Sequence, residues 1–145
     1  MLTILKNTLA VVIGVIAGGV ANMALILTGP HVIPTPAGVD VTNTESLQAS
    51  VHLLGPEHFV FPFLAHALGT LVGALVAYRI ATSHRSALAY VVGVVSLAGG
   101  ISASVMIPAP LWFKTLDLVV AYLPMAWCAV LLGRRMTAGA AVDLA

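Results

Sequence analysis

Apolar residues in this chain do not alternate with polar ones at strand spacing; they run on almost without interruption. Four such runs, at residues 9–28, 58–79, 86–107 and 115–133, take up most of the 145 residues. Each approaches or exceeds the roughly eighteen apolar-rich residues that mark a bilayer-spanning helix. Strands of a membrane barrel alternate over about ten residues, half the length seen here. The pattern predicts an all-α polytopic membrane protein. It has four transmembrane helices in one domain over residues 1–145, an external loop at 29–57 and a short interfacial helix within that loop. The first run outlasts the apolar core of a secretory signal and stays apolar past Ala21 and Ala24. It is therefore expected to remain as a span.

The loop divides in two. Its first part, Gly29 to Asp40, carries Pro30, Pro34 and Pro36 and is expected to be non-helical, with Gly38 making a turn. Its second part opens on Thr42-Asn-Thr-Glu45, a capping-box pattern with Thr42 as cap. From there Leu47, Val51 and Leu54 share one face and Glu45, Gln48 and His52 another. The spacing predicts a short amphipathic helix lying apolar face down and ending at Gly55-Pro56. It serves either as a brace along the outer surface, the reading we favour, or as a lid over something between the spans.

Small residues recur every four positions inside the spans: Gly14, Gly18 and Asn22 in the first, and Gly69, Gly73 and Ala77 in the second. The third adds Gly93, Ser96, Gly100 and Ala103, and the fourth Ala121 and Cys128 around Pro124. Small faces let helix backbones approach, which predicts a tight bundle. Pro62 and Pro124 each delete a backbone donor and are expected to bend their helices.

Composition changes this picture little. Charged residues make up 8% of the chain, and the mean hydropathy is +1.07. With six Lys plus Arg there is no basic patch for nucleic acid, and the single Cys128 excludes an intrachain disulfide. The distribution of charge is more telling. A cytoplasmic N-terminus puts Lys6, Arg79, Arg85, Arg134 and Arg135 inside and leaves Lys114 alone outside. The positive-inside rule thus predicts both termini in the cytoplasm.

Four polar residues lie on the small-residue faces or near the outer span ends: Asn22, His66, Ser104 and Asp117. At 1.5 Å per residue they fall about 9, 12, 3–5 and 3–5 Å from the outer span ends. All lie in the outer half of the bilayer, which points to a small polar chamber open towards the loop. Polar and ionisable groups in a span are site candidates by default. Each also has a plain structural role open to it. His66 can bond a carbonyl or Asn22 across helices, and Asp117 can pair with Lys114 or favour its helix start. At the external mouth His31, Asp40, His52, Glu57 and His58 could gather, but without metal-ligand spacing, so no metal is expected. Trp112, Phe113, Tyr122 and Trp127 suit helix ends and interior packing.

The segments 34–40 (PTPAGVD), 57–73 (EHFVFPFLAHALGTLVG), 108–113 (PAPLWF) and 117–127 (DLVVAYLPMAW) resemble a group of small four-span bacterial membrane proteins of unassigned function. The resemblance implies a bacterial inner-membrane protein and carries no chemistry with it. The residues themselves complete no nucleophile–base set, phosphate loop or cofactor motif. The leading expectation is therefore a non-enzymatic bundle, without cofactor, that self-associates or binds a membrane partner through its glycine-lined faces. Two alternatives stand beside it. One is a small-solute carrier or channel component with an outward-facing polar chamber. The other is a membrane enzyme or redox accessory protein acting on a lipid or quinone head group.

Overall fold

The computed structural model describes residues 1–40 and 43–142, with side chains as far as residue 137. Among the described residues every regular element is a helix: α1 (Leu2–Val32), α2 (Thr44–Ser50), α3 (Val60–Ile80), α4 (Arg85–Met106), α5 (Leu111–Val120) and α6 (Leu123–Val142). Single 3₁₀ turns at Val51–Leu53 and Pro56–Phe59 join α2 to α3. Among the described residues four helical stretches are long and apolar enough to cross a membrane: Leu2–Val32, Pro56–Ile80, Arg85–Met106 and Leu111–Thr137. The protein is thus an all-α protein with four apolar spans and a short additional helix. Ile4, Ile16, Val20, Val94, Val105 and Val119 are among many large apolar side chains left exposed on its outside, as a lipid-facing surface requires.

Helix α3 is the centre of the bundle, packed against α1, α4 and α6. Its contact with α1 is backbone to backbone. A Cβ added at Gly14 would stand 2.6 Å from the Gly73 carbonyl oxygen, and one at Gly18 would stand 2.6 Å from that of Gly69. The small-residue faces read from the sequence therefore meet each other within one chain. Gly93 of α4 packs the same way on Ala126 of α6, where an added Cβ would come within 2.6 Å of the alanine methyl. Ala74, Ala77, Tyr78, Ala89, Val92, Ala126, Ala129 and Val130 form a buried cluster between α3, α4 and α6. The Tyr78 ring lies over Gly133.

The end of the bundle carrying Lys6, Arg79, Arg85, Arg134 and Arg135 is closed by a clasp. The Asn7 carbonyl oxygen accepts from the Thr82 amide (3.1 Å) and hydroxyl (3.2 Å), and the Asn7 amide donates to the Ser83 hydroxyl (2.9 Å). This fixes α1 to the turn between α3 and α4, where His84 adopts a left-handed conformation at φ 52° as the cap of α4. The Arg134 guanidinium reaches the Ser86 hydroxyl at 3.4 Å and ties α6 to the same end.

Several sequence expectations are corrected. Helix α1 begins at Leu2, because Lys6 and Asn7 are polar without breaking a helix. It also continues through Gly29, Pro30 and His31, which the sequence placed in non-helical loop. Pro30 sits in the last turn, and the helix stops at Ile33, which Pro34 holds extended (φ −121°, ψ 89°). The cap of α2 is Asn43, whose side-chain oxygen accepts from the Glu45 and Ser46 amides at 2.9 and 3.2 Å. The expected cap Thr42 lies outside the described residues. Pro62 falls in the first turn of α3, where its missing donor breaks no helical bond, so no bend is required there. Pro124 instead parts its span into α5 and α6 with a turn at Ala121–Tyr122. It has no N–H to offer the Val120 carbonyl, four residues back.

Other expectations hold. Gly38 makes the loop turn with φ +84°, and the Val39 amide donates to the Pro36 carbonyl across it (3.1 Å). Along the loop helix and the turn after it, Leu47, Val51 and Leu54 are half-buried, while Glu45, Gln48 and His52 are exposed.

Candidate functional site

The break in the fourth span builds the most chemical part of the molecule. Asp117, 5% exposed, projects from α5 towards His66 on α3. The His66 Nδ1–H donates to the carboxylate, at 2.9 Å from Oδ1 and 2.8 Å from Oδ2. Immediately past the break, the Tyr122 hydroxyl donates to the same Oδ2 at 3.0 Å. The Tyr122 ring also stacks on the imidazole, with centroids 5.8 Å apart and planes at 29°. Gly100 of α4 makes room for this hydroxyl, since an added Cβ there would collide with it. Two donors thus converge on one buried carboxylate.

His66 and Asp117 form the floor of a cavity of about 270 Å³ between the loop-side ends of the helices. The walls are mainly apolar. Ile26 and Ile33 line it from the first helix and its end, and Phe59, Phe61 and Pro62 from the second span. Ile107, Pro108 and Phe113 complete the far side. Phe59 and Phe113 pack ring on ring at 4.8 Å, and Trp112 meets Phe59 edge-on at 5.6 Å. Leu47 and Leu54 from the external loop also line the cavity, so the apolar face of that loop lies over it. A second cavity of about 300 Å³ lies between α1 and α4 and shares His66, Gly100 and Ala103 with the first.

The four polar residues singled out in the sequence are therefore only partly assembled. His66 and Asp117 pair directly, which replaces both the His66–Asn22 and the Asp117–Lys114 pairing considered from sequence. Asn22 packs its Cβ against Gly69 and lines the second cavity. Ser104 lines the first cavity, but its hydroxyl donates to the Ile101 carbonyl at 2.7 Å. The Ser104 carbonyl in turn accepts from Lys114 Nζ at 2.5 Å, which places the cation at the C-terminal end of α4, where the helix dipole favours it. The chamber is more apolar than the sequence suggested, with its polarity confined to the floor and rim.

The residues of the external mouth do not converge. The His31 ring lies 3.0 Å from the Leu27 carbonyl on an exposed face, and His52 is exposed in the turn after α2. The Asp40 amide donates to the Ser46 hydroxyl at 3.2 Å. Glu57 and His58 approach each other, at 3.5 Å. His58 stands instead as a loop tie, with its two ring nitrogens each 3.3 Å from a carbonyl, that of Gly55 and that of Pro34. Among the described residues, no three of His, Cys, Asp and Glu gather as a metal would need.

Two participants escaped the sequence reading. Tyr122 was read as a packing aromatic. Its signal was Pro124 two residues on, which announces a break able to turn it towards Asp117. Asn7 carried the signal of an amide among apolar residues close to a span end. Compared with known family models, curated proteins and solved structures, the chain matches none, so the geometry of the site carries the functional argument alone.

Proposed function

We propose that this is a ligand-binding membrane protein that takes the head group of an amphipathic molecule into its outer cavity, with His66 as the polar contact and Asp117 orienting it. The observation that carries the reading is the placement of a hydrogen-bonded His–Asp pair at the floor of an otherwise apolar cavity. Ligand sites have this character: apolar walls and a few fixed polar groups. The volume of about 270 Å³ suits a ring or a small polar head rather than a whole lipid. Of the three readings open from sequence, this one agrees best with action on a lipid or quinone head group.

The glycine faces that motivated self-association are occupied by one another within the chain. What remains to support a partner-binding bundle is Gly19 and Gly99, at which an added Cβ would meet nothing within 4 Å. The carrier reading draws no support from the basic end, where Tyr78 on Gly133 and α1 on α3 fill the space between helices. The basic residues gathered at that end support both termini being cytoplasmic, and on that reading the cavity lies in the outer leaflet.

The test is to extract the wild-type protein and the His66→Leu and Asp117→Asn variants with their surrounding lipid and to identify bound molecules by native mass spectrometry. An amphipath retained by the wild type and lost from both folded variants is the expected result. Identical bound species in all three would reject the reading.

A further inference from the structure

The His66–Asp117 geometry also says which kind of head group fits. A neutral imidazole has one N–H and one lone pair, and the partner of one nitrogen decides the role of the other. Here both carboxylate oxygens lie on Nδ1, at 2.9 and 2.8 Å, so a neutral ring carries its proton on Nδ1 and its lone pair on Nε2. The Tyr122 hydroxyl donates to the same carboxylate. Nε2 has no hydrogen-bond partner among the described residues. It is not a buried orphan either, because no buried unpartnered side-chain nitrogen or oxygen is found. His66 lines both cavities, so Nε2 meets the space they share.

We infer that the outer cavity selects amphipathic molecules whose head group carries a hydroxyl, which donates its hydrogen bond to His66 Nε2. This rests on the head-group reading above and narrows it. A carbonyl, ether or ester oxygen brings only lone pairs to a site that already presents one. A hydroxyl on a ring or small polar head satisfies Nε2 and leaves its apolar substituent to the walls formed by Phe59, Phe61 and Phe113. The class includes hydroquinones and hydroxylated lipid heads.

Two measurements on the intact protein in nanodiscs test this. The first is ¹⁵N NMR of the His66 ring without ligand, where protonated Nδ1 and unprotonated Nε2 are expected. A ring protonated at Nε2 overturns the inference. The second compares the binding of decylhydroquinone with that of the corresponding decylquinone, which keeps ring and tail at nearly the same size and removes both donors. Loss of the hydroxyl bond should weaken binding about tenfold. In the Asp117→Asn variant the ring is free to take either tautomer, so this preference should shrink. Equal binding of the two probes to the wild type overturns the hydroxyl rule while leaving a head-group site. Binding of neither overturns both.

Discussion

The basic half of the bundle and the loop half are made from the same four spans on opposite plans. From the basic end to the middle of the bundle glycines and alanines bring helices together until backbone touches backbone, as Gly14 and Gly18 do on Gly73 and Gly69. In the loop half, Phe59, Phe61 and Phe113 stand where small residues would otherwise close the gap, and a cavity of about 270 Å³ remains. Lipid offers no hydrophobic gain for bringing helices together, so close packing in one half is what lets the other half stay open. The difference teaches where to look for fold and where to look for chemistry.

The largest expected effect lies in the packed half. Gly18→Val should destabilise the protein by about 3 kcal/mol, because the new side chain would enter the Gly69 carbonyl. Gly19→Val, one residue away and facing open space, should be nearly neutral. Thermal unfolding in detergent reads both, and equal stability of the two variants would break the contrast between the halves.

Next comes the floor of the cavity. His66→Leu leaves Asp117 with Tyr122 alone and should lower stability by about 1–2 kcal/mol, with His66→Asn or His66→Gln less damaging. Leucine as stable as wild type would show that the pair adds nothing to the fold and would sharpen the loop half as a place kept for binding. Asn7→Ala removes the clasp onto Thr82 and Ser83 and should lose about 1 kcal/mol. Accelerated amide hydrogen exchange at residues 82–84 is the expected local sign, and unchanged exchange would argue that the clasp does not hold the basic end. Smallest is Asn43→Ala. Its lost cap should loosen α2 by about 1 kcal/mol while leaving global unfolding unchanged. Exchange at Glu45 and Ser46 measures it, and a shift in global unfolding would mean that the external loop is part of the packed structure.

The spans were legible because a bilayer demands continuous apolar sequence, and the Gly14–Gly18 and Gly69–Gly73 faces were legible because close approach demands small residues. Their ends were less so. Pro30 reads as a helix breaker, yet in the last turn of α1 it is compatible with the helix. His66 and Asp117 were both visible as isolated polar residues, but nothing in the linear text joins residues 51 positions apart. Depth estimates grouped Asn22 with them, but depth says nothing of azimuth, and Asn22 faces the second cavity. The chamber was expected to be polar because polar residues were what the eye collected; its aromatic and aliphatic walls were indistinguishable from ordinary span residues.

The turn at Ala121–Tyr122 has a consequence for how such a protein can change over generations. In an unbroken helix, residues five apart point about 140° away from each other, whereas Tyr122, at the turn, reaches the Asp117 carboxylate at 3.0 Å. Once the span is in two pieces, α5 and α6 need not keep a common phase. Substitutions on α5 can alter what the cavity accepts while Ala126, Ala129 and Val130 of α6 hold their places against α3 and α4. A single proline thereby separates inheritance of the scaffold from inheritance of specificity.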